Sequence, residues 1–514
     1  MIRSFRNILR FLRVAHILAR HDALFLLDNL GVAPFIVFIA RLGRRRGAQG
    51  RPGQRLARAL SQAGPSFIKL GQALSTRSDL LGEEIAADLS ELQDALPPFS
   101  GTLARQAIAD EFGCPLESLF RSFDETPVAA ASIAQVHFAV TSDGREVAVK
   151  VLRPDIEAAF ARDLDLFYWA AQLIEMARPE LRRLKPVEAV KTLEKSVQME
   201  MDLRFEAAAC AELAENFRDD PTFRVPGVDW LRTGRRVLCT ERVEGIVIDD
   251  IPALVKAGHE PLEVLRKAAG AFFHQVFRDG FFHADMHPGN LFVAPDGAVV
   301  AVDFGIMGRL DDANRKTLAE MMLAFLTRDY RRAAEVHFEA GWIPADQSVT
   351  AFTQACRSIA EPIMDKAQNE ISIGRLLGQL FQITETFAME AQPQLLMLQK
   401  TMLVAEGTGR HIAPEANMWM LARPLVEQWA HDNLSPQARL RDGVQELVGA
   451  ARRLPRVLNN LEKSLDAFSE RGLKLHPDTV LAMRGGNRRH RSAILAFATG
   501  AVCAAAIIGV VLLV

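Results

Sequence analysis

The sequence predicts an α+β chain of two lobes, the first carrying strands and the second mostly helical, with a helical extension before them and an apolar span after them. Three observations predict it. Strand signals are confined to a few central stretches, "IAQVHFAV", "REVAVKVL" and "RRVLCTERVEGIVI". Helix-spaced apolar residues fill most of the chain on either side of them. From Ser492 to Val514 no residue is charged, and at ~1.5 Å per residue such a run spans a ~30 Å hydrocarbon core.

The 514 residues, 49% hydrophobic and 24% charged, suffice for two to four domains with a substantial core. A net charge of −2 gives no push toward nucleic acid. The five cysteines (Cys114, Cys210, Cys239, Cys356, Cys503) have no C-x-x-C spacing. That argues against zinc ribbons and a disulfide framework and fits a reducing compartment.

Residues 1–110 read as the helical extension. The opening "MIRSFRNILRFLRVAHILARH" is basic and amphipathic and lacks a small-residue cleavage site. "IARLGRRRGAQGRPGQR" reads as a basic, Gly-rich linker, and the helical pattern then runs to a stop at Pro97-Pro98. Residues 111–245 form the first lobe: strand, "TSDG" turn and strand from Phe120, helices from Ile156 to about Phe217, then an extended stretch. Residues 246–450 form the mostly helical second lobe. A basic segment, 451–491, ends in "RGGNRRHR", and 492–514 is the expected transmembrane helix. Arg484, Arg488, Arg489 and Arg491 would stay on the cytoplasmic side and hold the catalytic body there.

The chemistry is concentrated in "FFHADMHPGNLFVAPDGAVVAVDFG", Phe281 to Gly305. His283, Asp285 and His287 would share one face of an extended strand and could hold zinc or iron. The residues after His287 favour another reading. "LFV" and "AVVAVDF" flank Pro295-Asp296-Gly297, a hairpin signal, so Asn290 and Asp303 at its two ends are brought together near Asp285. Oxygen-bearing side chains at an open mouth suit Mg²⁺ whose shell is completed by phosphate. His283 is then a packed, hydrogen-bonding residue that fixes the loop.

The order is that of a protein kinase: a catalytic-loop Asp, an Asn five residues on, a hairpin, and a literal D-F-G at Asp303-Phe304-Gly305. Such a site needs a lysine on an upstream strand, and "REVAVKVL" supplies Lys150. It also needs a helical carboxylate to hold that lysine, with Glu200, Asp202 and Glu206 as candidates; Asp202 and Glu206 share a helix face. Where kinases have G-x-G-x-x-G, this chain has "PVAAASIAQVH". Ala129, Ala130, Ala131 and Ser132 allow close approach but resist the φ > 0 conformations open to glycine, so the loop should be stiffer.

In combination, "FIKLGQALSTRSD", "LQDALPP", "AAASIAQVH", "VAVK", "EMD" with "FEA", "FHADMHPGN" and "VDFG" resemble the UbiB-type atypical kinases, which support ubiquinone biosynthesis. The resemblance covers most of residues 60–310. It implies a bilobal protein kinase-like fold and the cofactors ATP and Mg²⁺. It implies that Asp285 and Lys150 are catalytic, that Lys150 pairs with Glu206, and that Asn290 and Asp303 hold the metal. Ala129 to Ser132 would form the nucleotide loop, with Glu241 and Val243 near the adenine hinge. Lys69, Gly71 and Gln72 match a K-x-G-Q signature that folds over the site. Glu200 and Asp202 match an E-x-D motif facing Lys69. Ala209 departs from the pattern, and beyond about residue 320 no motif is assigned.

The function implied is a membrane-anchored kinase-like ATPase of the bacterial inner membrane. Its expected partners are membrane lipids, ubiquinone precursors, the enzymes of ubiquinone biosynthesis and a second copy of the chain. A nucleotide-gated scaffold without phosphoryl transfer is the alternative. A quinone-ring hydroxylase is disfavoured by the lack of G-x-G-x-x-G after a strand.

Overall fold

The computed structural model describes residues 2–434 except 26–48, 76–80, 91, 93–95, 178–181, 183, 184, 364–378, 380, 381, 385, 390–392 and 417. The basic segment 451–491 and the expected span 492–514 lie outside the described residues. Among the described residues no helix is long and apolar enough to cross a membrane.

The extension comprises α1 (Ile2–Arg20), α2 (Pro52–Ala63), α3 (Pro65–Ser75) and α4 (Glu83–Ser90). The expected Gly-rich linker is cut short, because α2 already begins at Pro52. Proline is pre-organised for a first helical position, and the Gln54 side chain accepts from the Arg51 N–H at 3.1 Å. Among the described residues the extension does not form a core of its own. Leu56, Ile68 and Leu89 share one with Phe160, Phe167, Leu193 and Val197. The last four come from α7 (Ile156–Ala177) and α8 (Pro186–Glu200) of the expected first lobe.

After α5 (Gly101–Phe112) and the single turn α6 (Leu116–Leu119), the first sheet is built from β1 (Phe120–Phe123), β2 (Ala129–Ala130), β3 (Ala134–Thr141), β4 (Glu146–Leu152) and β6 (Val237–Glu241). Its order is β1-β3-β4-β6, with β2 also on β3. Alternation in β4 sends Val147, Val149 and Val151 into a core with Ile108 and Val237. Lys150 therefore takes the other face. It stands opposite Val136 on one side and Leu238 on the other. Behind it runs α9 (Leu203–Asn216), capped by Asp202.

The second sheet has the order β5-β10-β9-β7, from β5 (Phe223–Arg224), β7 (Ile246–Val247), β9 (Leu291–Val293) and β10 (Val299–Ala301). The buried Phe223 pairs parallel to Val299, so β5 goes with this sheet although it precedes the expected boundary at 245. A further pair joins β8 (Phe281–His283) to β11 (Met307–Arg309). Around these pack α10 (Ile251–Lys256), α11 (Pro261–Phe273), a π-helical turn (His274–Asp279), α12 (Asp312–Leu326), α13 (Tyr330–Glu339), α14 (Val349–Ala360), α15 (Pro393–Ile412) and α16 (Met418–Leu434). Leu265, Phe272, Phe282, Leu318, Leu398 and Val426 belong to their common core.

Candidate active site

Residues 242–245 connect the two sheets, running from β6 to β7. Glu241, at the end of β6, is tied to Gly227: its N–H donates to Gly227 O at 2.8 Å. Val243 is half-buried in the connection.

Three ionisable groups from three elements meet in the cleft. Lys150 Nζ lies 2.7 and 3.0 Å from Glu206 Oε1 and Oε2 and 2.9 Å from Asp303 Oδ1. β4 places the lysine by alternation, α9 the glutamate in its first turn, and the end of the β9–β10 hairpin the aspartate. Burial opposes the lysine charge, but the carboxylates of Asp303 and Glu206 outweigh it and raise its pKa. Burial pushes Glu206 up, against the pull of Lys150. Asp303 goes the other way. Desolvation in the cleft would raise it, but the charge of Lys150 holds it down to about 2. Its side chain is 46% exposed, so it remains reachable.

The hairpin closes as its turn signal requires. Gly297 N–H donates to Ala294 O at 2.8 Å, and Gly297 adopts φ 82°, a conformation glycine accepts freely. At its open end Val302 N–H donates to Asn290 O at 2.9 Å. Asn290 Nδ2 donates to Asp285 O at 3.0 Å, which leaves its side-chain oxygen uncommitted. Asp303 sits at φ 62°.

The histidines do not share a strand face with Asp285, because β8 ends at His283 and the chain then turns. His283 is fully buried. Its Nδ1 accepts from Asp285 N–H at 3.1 Å and its Nε2 faces Val302 O at 3.2 Å, so the proton resides on Nε2. Burial lowers its pKa and keeps it neutral. His287 Nδ1 accepts from Gly289 N–H at 3.2 Å and caps a short turn. Among the described residues no three His, Cys, Asp or Glu side chains are grouped to hold a metal without other ligands.

Ala129 and Ala130 form β2, paired with Val136 and Gln135, and Ala131 N–H donates to Ala134 O at 2.8 Å. The alanine-rich stretch is thus a hydrogen-bonded strand and tight turn. The Ser132 hydroxyl inside it is buried with no hydrogen-bond partner.

Lys69, on α3, pairs with Glu200 at 2.6 Å. Asp202 was expected beside it, but its carboxylate turns to its own helix. It accepts from Arg204 N–H at 3.2 Å and pairs with the Arg204 guanidinium at 2.7 Å. Two residues beyond Glu200, at the chain reversal between α8 and α9, the N-cap position takes the carboxylate. Gly71 is a close-packing position: a Cβ there would stand 2.8 Å from Leu60 Cδ1. Gln72 is half-buried one residue on.

Three supports escaped the sequence reading. Thr401, wholly buried on α15, donates to Ala284 O at 3.1 Å, beside Asp285. Gln275, in the π-helical turn, accepts from His283 N–H at 2.8 Å. Arg309 makes a two-pronged pair with Glu212 of α9, at 2.9 and 2.7 Å.

Known families and structures bear on this geometry. The ABC1 atypical kinase-like domain matches residues 91–337 and the UbiB helical domain residues 356–417. The chain is 44% identical over 393 residues to the probable protein kinase UbiB of Marinobacter nauticus, covering 76% of this chain and 72% of that one. Against the probable protein kinase UbiB of Azotobacter vinelandii the identity is 41% over 467 residues, covering 89% and 86%. The chain belongs to the UbiB family. Among solved structures it is similar to Rv3197 of Mycobacterium tuberculosis, determined with erythromycin, at a TM-score of 0.50 and 25% identity over 71% of this chain and 93% of that one. The kinase-like α+β fold is common to both. The UbiB helical domain covers part of the region for which no sequence motif was assigned, and Thr401 lies within it.

Proposed function

We propose that this UbiB-family chain is an atypical kinase-like enzyme that takes Mg–ATP between its two sheets and supports ubiquinone biosynthesis at the bacterial inner membrane, with its catalytic body in the cytoplasm. The observation that carries the reading is Lys150 held between Glu206 and Asp303. A buried ammonium fixed by a helical carboxylate and facing a second, reachable carboxylate is what phosphoryl transfer requires of a protein. The names of the relatives, probable protein kinase UbiB, support the kinase reading.

The residues present fit the cofactors. Asn290, with its amide nitrogen committed to Asp285 O, offers an oxygen, and Asp303 offers a carboxylate kept ionised. These two would hold Mg²⁺, which when bound neutralises charge on phosphate oxygens. Lys150 would bind phosphate oxygens, and the orphaned Ser132 hydroxyl is a group that phosphate could satisfy once the turn makes room. Asp285 would orient the attacking hydroxyl or water and accept its proton. The Lys69–Glu200 pair would restrain access by a protein acceptor.

The test is ATP turnover by the purified full-length chain, with and without anionic-lipid vesicles and a phenolic quinone precursor. Turnover abolished by Asp285→Asn supports the enzyme. Nucleotide binding without turnover under every condition supports the scaffold reading in its place. For the anchor, a chain truncated after His490 should leave the membrane fraction. Retention in high salt would place the attachment elsewhere, such as on basic α1.

A further inference from the structure

The alanine-rich turn is held from behind by one side chain. Arg153 lies just beyond the end of β4. Its Nη2 stands 2.9 Å from Ala131 O, 2.9 Å from Pro97 O and 3.4 Å from Leu96 O, and its Nε stands 3.3 Å from Ala131 O. Its guanidinium carbon is 5.6 Å from the centre of the Phe99 ring. Its own N–H donates to Ile133 O at 2.8 Å. One residue therefore joins the turn at 131–133 to the segment 96–99, which follows α4 within the N-terminal extension. Beside it the fully buried Gln135 exchanges two hydrogen bonds with Phe99, at 3.0 and 3.1 Å.

We propose that Arg153 is a positioning residue for nucleotide, setting the orientation of the alanine-rich turn and coupling it to the extension. The proposal rests on the nucleotide reading of the site. In a planar trans peptide the C=O and the following N–H point to opposite sides. With Ala131 O drawn to the guanidinium, the Ser132 N–H faces away from Arg153. Glycines would let that peptide flip between φ signs, whereas alanines resist it. The guanidinium thus selects one of two peptide orientations in a loop already reluctant to change. Its planar fork is suited to holding several carbonyls at once, which a lysine ammonium on a flexible stem does less well. Movement of the extension would then be felt at the turn through the shared guanidinium.

The test uses the full-length chain and its Arg153→Lys, Arg153→Ala, Phe99→Leu and Arg153→Lys/Phe99→Leu variants. Affinity for ATP and ADP with Mg²⁺ is measured by calorimetry, and unfolding without nucleotide by thermal melt. Arg153→Lys should weaken ATP binding about tenfold, the scale of one charge-assisted hydrogen bond, while the nucleotide-free melt changes little. Arg153→Ala should weaken it further. Phe99→Leu should act in the same direction, and the double variant should lose less than the product of the two single losses. If the wild type binds nucleotide and both Arg153 variants bind it equally well, the inference is overturned and the cofactor reading stands. Strictly multiplicative losses would overturn the coupling. A wild type that binds neither nucleotide overturns both readings together. Should Arg153→Ala fail to fold, the lysine variant decides.

Discussion

Lys150 Nζ and Glu206 Oε1 stand 2.7 Å apart, with only 15% and 8% of their side chains exposed. Removing one partner of such a pair leaves an uncompensated charge, at a cost of about 3–5 kcal/mol where nothing else relieves it. Asp303, 2.9 Å from the same nitrogen, relieves part of it. Glu206→Ala should therefore lose about 3 kcal/mol in urea unfolding, and Glu206→Gln, which still accepts a hydrogen bond, clearly less. Both should weaken ATP binding. An alanine variant of unchanged stability would mean that the pair is not formed in solution.

Asp303 adopts φ 62°, a region asparagine also tolerates. Asp303→Asn thus removes charge without adding backbone strain. Affinity for Mg–ATP should fall by about ten- to a hundredfold, the scale of a lost charged contact. Affinity for nucleotide without metal should change less. Calorimetry with Mg²⁺ and with a chelator separates the two; equal losses in both would remove Asp303 from the metal site.

Much of this geometry could be read from the chain because it depends on short-range rules. Strand alternation alone puts Lys150 opposite Val147, Val149 and Val151, and a Pro-Asp-Gly turn alone brings Asn290 back toward Asp303. What could not be read depends on packing between distant elements. Nothing near Thr401 announces that α15 reaches Ala284, and nothing near Arg153 announces Pro97. Asp202 was misplaced for a local reason: a helix start competes for a carboxylate, and capping prevailed over the distant lysine. The sharing of one core between the extension and α7 and α8 was hidden because apolar periodicity shows which face is buried without showing its partner.

Thr401 offers one hydroxyl proton to two acceptors, Ala284 O at 3.1 Å and Met397 O at 2.9 Å. The second belongs to its own helix. Thr401→Val keeps the shape and removes the donor, leaving the carbonyl next to Asp285 without it. The expected cost is about 1–3 kcal/mol, together with a fall in turnover larger than any change in nucleotide affinity, since the catalytic loop is what moves. Stability and steady-state kinetics measured together check this; a change confined to nucleotide affinity would contradict it.

Ala130 pairs with Gln135 in β2. Ala130→Gly should lower stability by about 0.5–1 kcal/mol through added freedom in the unfolded chain. It should also let the turn close differently over phosphates. The expected result is altered preference between ATP and ADP, with phosphate incorporated into the protein itself. Unchanged preference and no incorporation would leave the alanines as packing.

The buried His283 makes stability depend on pH in a direction the geometry determines. Its folded pKa is lowered from 6.5, first by burial, and its Nδ1 is already accepting from Asp285 N–H. Below 6.5 the unfolded imidazole takes up a proton that the folded one refuses. The unfolded state then binds more protons, so stability falls as pH drops below about 6.5 and levels off only past the lower folded value. His137, His274 and His337 are also lowered by burial and contribute to the same slope, so the wild-type profile alone cannot isolate one residue. His283→Asn can: its side-chain oxygen can still accept from Asp285 N–H, and it does not titrate. The variant should be less stable at about pH 8, where it loses packing and the contact with Val302 O. Between about pH 6.5 and 5, however, its stability should fall less steeply than the wild type's, by up to about 1.4 kcal/mol per pH unit, the limit for one proton. Urea unfolding across that range measures both slopes. Parallel slopes would mean that His283 titrates alike in the folded and unfolded chain, and that the catalytic loop is not held by a neutral imidazole.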